Sequence, residues 1–191
     1  MLSIRRISVG CGTLLAASAL LAGCAATDPV ASGRPSGAAT TSPATAAIPC
    51  AQLQPLAAPI TGAFSFSAED SSEDDTGTTC VWINGAVAST STALEDYASI
   101  GITVDDTAWT PEELATLSGA TDDPRAASLG GRILVLGSGT TLGEVGSVQL
   151  LSPHGSVTVV ATGTLLSASA DTRIPVDAVI DVAAKVAALQ R

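Results

Sequence analysis

The sequence predicts an α+β domain, a mainly antiparallel sheet with one face covered by a C-terminal helix. Three observations predict it. Short alternating or wholly apolar runs recur along the chain, as strands do. Two of these runs flank Ser152-Pro153-His154-Gly155, a hairpin turn. The chain then closes on apolar residues repeating at helical spacing.

Taken in order, Ala63-Phe64-Ser65-Phe66-Ser67 alternates like a strand, and 78–84 is a second, more apolar one. An acidic, glycine-containing turn is expected between them. Residues 132–136 read as a buried strand, and 147–151 with 156–161 form the hairpin. Thr110-Pro111-Glu112-Glu113 is a capping box, with Thr110 as N-cap, Pro111 at the first helical position and Glu113 at the third. Trp109 and Leu114 are spaced as a hydrophobic staple. The final helix is expected over 175–189, burying Val176, Val179, Ile180, Ala183, Val186 and Ala187. Lys185 and Arg191 suit the negative end of its dipole.

Of 191 residues, 18 are acidic and 8 basic, a net charge of -10. That balance excludes nucleic-acid binding through phosphates and a polybasic grip on anionic lipid. The length suits one domain plus appendages. Arg5 and Arg6 precede a run over 7–22 that has no acidic residue and is short for a spanning helix. It ends in Leu21-Ala22-Gly23-Cys24, which resembles the lipobox of bacterial lipoproteins. Leu21, Ala22 and Gly23 would be read by the signal peptidase. Cys24, attacking as its thiolate, would take the diacylglyceryl group and become the first mature residue. Two acyl chains give stable anchoring where one is marginal.

The predicted organisation is therefore a lipoprotein signal peptide over 1–23, a lipidated Cys and tether over 24–48, and a folded domain over 49–191. Within 25–48, 20 of 24 residues are Ala, Ser, Thr, Gly or Pro, too little apolar surface to offset ordering entropy. Such a tether reaches roughly 25–30 Å. The folded part carries 17 acidic side chains against 5 basic ones. Of four cysteines, Cys11 leaves with the signal and Cys24 is lipidated, so Cys50 and Cys80 remain as an expected disulfide.

Ile48-Pro49-Cys50-Ala51-Gln52-Leu53, then Cys80-Val81-Trp82, then Ser128-Leu129-Gly130-Gly131 before a strand, and an Ala-rich closing helix follow a familiar order. It resembles that of small actinobacterial cell-envelope lipoproteins carrying a P-C…C-x-W domain of unknown function. The resemblance implies an exported, lipid-anchored, disulfide-closed domain and brings no catalytic residue with it. In such proteins a helix follows the first Cys; here Pro55 and Pro59 interrupt it. The C-x-W spacing puts Trp82 on the same strand face as Cys80.

Catalytic constellations are sparse. His154 is the only histidine, at a hairpin tip, and Lys185 the only lysine. That removes the usual Ser-His-Asp and Cys-His arrangements, and no S-x-x-K occurs. Residues 137–143, Gly-Ser-Gly-Thr-Thr-Leu-Gly, resemble a phosphate-binding loop only loosely and read as a flexible loop whose exposed amides suit a small anion. Glu69, Asp70, Glu73, Asp74 and Asp75 form the densest acidic cluster, without the spacing of an EF-hand. A solvated turn is the default reading there, and Asp105-Asp106 and Asp122-Asp123 pose the same question more weakly.

The expectation is a non-enzymatic module without cofactor or metal, held by a diacylglyceryl anchor at the extracytoplasmic face of the cell membrane. It would bind an envelope protein or wall component. The alternative is a carrier of an apolar ligand in a cavity between sheet and helix, with a wall-active hydrolase third. Replacing Cys24→Ala should release the protein to the medium; retention of an uncleaved or spanning chain in the membrane fraction contradicts the lipobox.

Overall fold

A computed structural model of the chain describes residues 47–85, 93, 97–163 and 173–191. The expectations placed on Leu21, Ala22, Gly23, Cys24 and nearly all of the tether lie outside these residues.

The described elements are α1 (Cys50–Thr61), β1 (Ser65–Asp74), β2 (Gly77–Ile83), β3 (Ser99–Asp105), α2 (Pro111–Thr116), β4 (Ala120–Thr121), α3 (Pro124–Ala127), β5 (Arg132–Gly137), β6 (Thr141–Leu142), β7 (Val145–Ser152), β8 (Gly155–Thr162), β9 (Ile174–Pro175) and α4 (Val176–Ala187). A 3-10 turn, Ala188–Gln190, ends the chain. The sheet runs β1-β2-β3-β8-β7-β5-β4, with every neighbour on this path antiparallel. β6 bridges the start of β7, in parallel, to β9. α4 packs on β7 and β8, and α1 packs on α4 and β2. The expected α+β architecture is present.

Alternation produces this layering. In β2 and β3 every second residue is buried, and those residues are Thr78, Cys80 and Trp82 in one strand and Ile100, Ile102 and Val104 in the other. They continue through Val157 and Val159 of β8 and Val148 and Leu150 of β7 into one inner face. α4 covers it with Val179, Val182, Ala183, Val186 and Ala187, while Val176 and Ile180 are only partly buried. A fully buried valine contributes roughly 1.5–3 kcal/mol. Ile100, Ile102, Val148, Leu150, Val157, Val159, Val179, Ala183 and Val186 expose no surface to a water-sized probe. A chamber between the two layers would expose such surface, so this interface is filled.

Several elements differ from expectation. α1 forms despite Pro55 and Pro59, because both prolines lie on the exposed side while Leu53, Ala57 and Ile60 are buried. Each proline removes one intrahelical donor at a cost near 3 kcal/mol. Burial of that apolar side and the disulfide at the first helical residue oppose this cost. Pro49 offers no side-chain cap; the Cys50 amide instead donates to Glu73 Oε1 at 2.8 Å.

The acidic segment is not mainly a turn. β1 extends to Asp74, and only residues 75–76 turn. A bulge between Ser67 and Ser72 absorbs the register shift, and the Ser71 hydroxyl accepts from the Val81 amide at 3.0 Å in place of a ladder bond. β5 is less buried than expected, with Ile133 alone fully inside. Ile48, assigned to the tether, is buried in the core. β3, a central strand, and α3 are elements that the sequence reading did not identify.

The capping box is present: the Glu113 amide donates to Thr110 Oγ1 at 3.2 Å and the Thr110 amide to Glu113 Oε2 at 2.8 Å. At α3, Asp123 Oδ1 accepts from the Arg125 amide, and the Arg125 guanidinium holds Asp123, Asp177 and Asp181 at 2.7–2.9 Å. This fork ties α3 to the first turns of α4. It also holds the Asp123 carboxyl below its ordinary range, chiefly by the Arg125 side-chain hydrogen bond. Gly130, at φ 72, takes a left-handed turn after α3 that an L side chain rarely adopts.

Cys50 and Cys80 are joined, with 5.6 Å between Cα atoms, across a separation of 30 residues. Trp82 packs edge-on against Phe66, its register partner, with ring centroids 5.7 Å apart. Replacing Cys50→Ser should lower unfolding stability by about 3–4 kcal/mol on the chain-entropy account. Urea denaturation measures it, and an unchanged midpoint would show that the bridge contributes no stability.

Candidate functional site

The residues that face away from the helices form a second surface. Four rows cross it, read from strand register, and the one nearest the hairpin runs Gly77, Asp105, Ser156, Leu151 and Arg132. The second runs Thr79, Thr103, Thr158, Gln149 and Leu134. The next runs Val81, Gly101, Val160, Ser147 and Leu136. A last, shorter row holds Ile83, Ser99 and Thr162. Five strands spaced about 4.8 Å apart make the longer rows roughly 19 Å across.

Part of this outer face is closed. The Trp109 amide donates to Ser152 O, and Arg132 reaches the carbonyls of Leu114 and Ala120 at 2.9 and 2.7 Å. Leu114 and Leu151 are buried apart from the main core. The α2 segment thus covers the β5–β7 end nearest the hairpin. The rest is open: Leu136 is 48% exposed, Tyr97 38% and Val160 37%. Among the described residues the other exposed large apolar side chain is Leu189.

The charged side chains of this face, Asp105 and Arg132, stand in the row at the hairpin end, and the other three rows hold no Asp, Glu, Lys or Arg. Hydroxyls pair across strands instead, Thr79 with Thr103 at 3.2 Å and Ser99 with Thr162 at 2.8 Å. A shallow depression of about 370 Å³ lies at the far end of β2 and β3, against Val81, Ile83, Tyr97, Ser99 and Thr162. Asp70 stands at its rim.

Gly101 lies in the middle of this face. Glycine weakens a strand interior, and it is usually explained by a bulge, a positive φ or a close neighbour. None applies: the register on both sides is regular, its φ is not positive, and an added Cβ would meet nothing within 4 Å. Nothing described within the domain requires a glycine at this position.

No family model matches the chain, and no curated protein or solved structure matches it.

The other sequence candidates are bound up in local structure. In the loop at 137–143 two amides are already taken: Glu144 Oε2 accepts from the Thr140 and Thr141 amides at 3.3 Å and from Thr141 Oγ1 at 2.8 Å. Those hydrogen bonds, the Thr141 hydroxyl first, hold the Glu144 carboxyl below its ordinary range. The chain's own carboxylate sits where a small anion was expected. The acidic cluster is divided, with Glu73 on the Cys50 amide, Asp70 on the Ser67 hydroxyl and Asp74 on Thr76. Among the described residues no group of three or more His, Cys, Asp or Glu side chains gathers as a metal site. Asp105 accepts from the Thr107 amide, Asp122 pairs with Arg132, and Asp123 caps α3. His154 is exposed at the hairpin tip. Among the described residues no helix is long and apolar enough to cross a membrane.

The sequence reading missed the outer face because it missed β3. The signal was present as Ser99, Gly101 and Thr103 alternating with Ile100, Ile102 and Val104. Because Gly101 is unconstrained locally, Gly101→Thr should raise stability by a few tenths to about 1 kcal/mol. A loss of stability in thermal unfolding would show that the glycine has an intramolecular role.

Proposed function

We propose that this chain is a lipid-anchored extracytoplasmic lipoprotein whose domain is a non-catalytic binding module for an envelope protein or cell-wall component. The observation that carries the reading is the open outer face of the sheet. Three of its rows are uncharged and partly apolar on an acidic domain, and an unconstrained glycine lies among them. Exposed apolar patches on monomeric proteins mark interaction surfaces. The anchor rests on Leu21-Ala22-Gly23-Cys24, and the likeness to actinobacterial envelope lipoproteins belongs to the same proposal.

The carboxylates of Glu73, Glu113, Asp123 and Glu144 bind backbone amides or Arg side chains, which supports a structural use of these acid groups over a catalytic one. The filled layer between sheet and α4 supports a surface binder over a carrier of apolar cargo.

A photoactivatable residue placed at Val160 in the native envelope should capture a discrete product that the same residue at Lys185, exposed on α4, does not. Val160→Asp combined with Leu136→Asp should prevent capture from a crosslinker at Thr158 while leaving the melting temperature nearly unchanged. Equal capture from both layers, or none from the outer face, would reject the module.

A further inference from the structure

The described chain begins at Ala47 and Ile48, beside Gly77, Val104 and Asp106 at the hairpin end of the sheet. The depression against Val81, Ile83, Tyr97, Ser99 and Thr162 lies at the opposite end. β3 runs between the two ends, from Ser99 to Asp105, and six steps of an antiparallel strand measure roughly 20 Å. The chain before Ala47 thus joins the domain far from the depression, and an anchor on that side leaves it accessible.

The size of the open face limits what it can hold. Neighbouring rows are two residues apart along a strand, about 6.8 Å, so the three uncharged rows measure roughly 19 by 14 Å. That area, roughly 270 Å², is about a third of the ~800 Å² that each partner contributes to a stable protein complex. The depression, at about 370 Å³, lies instead within the roughly 300–1,000 Å³ of small-ligand sites. A narrow chain fits this face better than a folded partner does.

Charge and hydrogen bonding narrow the occupant further. The folded part carries 17 acidic side chains against 5 basic ones, so an anionic chain is repelled. A cationic chain finds no carboxylate in the three rows, and Asp70 at the rim is engaged with the Ser67 hydroxyl at 2.6 Å. An extended peptide adds to a sheet through unpaired backbone groups, but β3 is paired along its whole length by β2 and β8. The face offers hydroxyls instead. Thr79 pairs with Thr103 and Ser99 with Thr162, and each pair keeps one donor and several lone pairs for a ligand. Beside the second pair stand the partly exposed Tyr97 and the apolar Val81 and Ile83. A saccharide ring has the matching character, a C–H face for aromatic and apolar surface and a rim of hydroxyls that donate and accept.

We infer that the depression is a subsite for one or two rings of an uncharged polysaccharide, the chain continuing along the uncharged rows. The inference rests on the outer face being the binding surface and narrows its occupant. Tyr97 takes the C–H face of a ring, Ser99 and Thr162 exchange hydrogen bonds with its hydroxyls, and the Asp70 carboxylate accepts from one at the rim.

The test uses the full chain and the wall polysaccharides of the organism that makes it, freed of protein by protease and separated by anion exchange into neutral and acidic pools. The neutral pool should bind saturably in isothermal titration, with an affinity that added NaCl leaves unchanged. Tyr97→Ala should weaken binding by about tenfold or more. Thr162→Val should weaken it by about threefold or more, the loss of one hydrogen bond. Thr162 is exposed, so its variant should fold normally and carries the test if Tyr97→Ala does not. Lys185→Ala, on α4, should bind as the parent does. The inference is overturned if the neutral pool gives no saturable binding, if only the acidic pool binds, if salt abolishes binding, or if neither outer-face variant weakens it. Capture of a protein from Val160 with no binding to the neutral pool would overturn the saccharide and leave the binding module standing. Loss of both would reject the module as well.

Discussion

Coverage of one sheet face by α4 is the constraint on which the rest of this domain depends. Strand alternation divides the side chains of β2, β3, β8 and β7 into two faces, and only the inner one is apolar enough to require a partner layer. α4 supplies that layer with valine and alanine, residues short enough to let the helix lie close to the sheet. α1, locked at its first residue by the Cys50–Cys80 bond, fills the space beside it. With the inner face closed in this way, any recognition must use loops, edges or the outer face.

The acid groups follow a consistent physical logic. A carboxylate accepts strongly from backbone N–H groups, and the domain uses that capacity wherever its chain ends or turns. Glu73 receives the first amide of α1, Asp123 that of α3, Glu113 closes the α2 box, and Glu144 holds the loop before β7. The Arg125 fork holds Asp123 again and gathers two more, Asp177 and Asp181 of α4. Glu73, Glu113, Asp123 and Glu144 thus serve element ends and turns, and three of the outer rows remain neutral.

The elements legible in the sequence are those whose signals are local. The hairpin at 152–155, the capping box at Thr110 and the spacing of α4 each depend on residues within a few positions of one another, and each is present. α1 was misread for the opposite reason. Its two prolines are a local argument against helix, overcome by burial of Leu53, Ala57 and Ile60 against distant elements. β3 was overlooked although its alternation is clear, because a glycine and a terminal aspartate weaken its strand signature. The acidic stretch looked like a turn by composition and became a bulged edge strand, since pairing with β2 was available on one side only.

By itself the sequence determined the α+β class, the closing amphipathic helix, the hairpin and the pairing of Cys50 with Cys80. Periodicity, turn chemistry and cysteine number are properties of neighbouring or countable residues. Tertiary structure alone decided which strand faces remain open and where the acid groups find partners. Both depend on strand order and register, which bring Val81, Gly101, Val160 and Leu136 into one row from four separate strands. It also gathers Thr78, Asp106 and Gln190 around one small cavity. No local rule states such juxtapositions, because each joins residues that meet only when the whole sheet has formed.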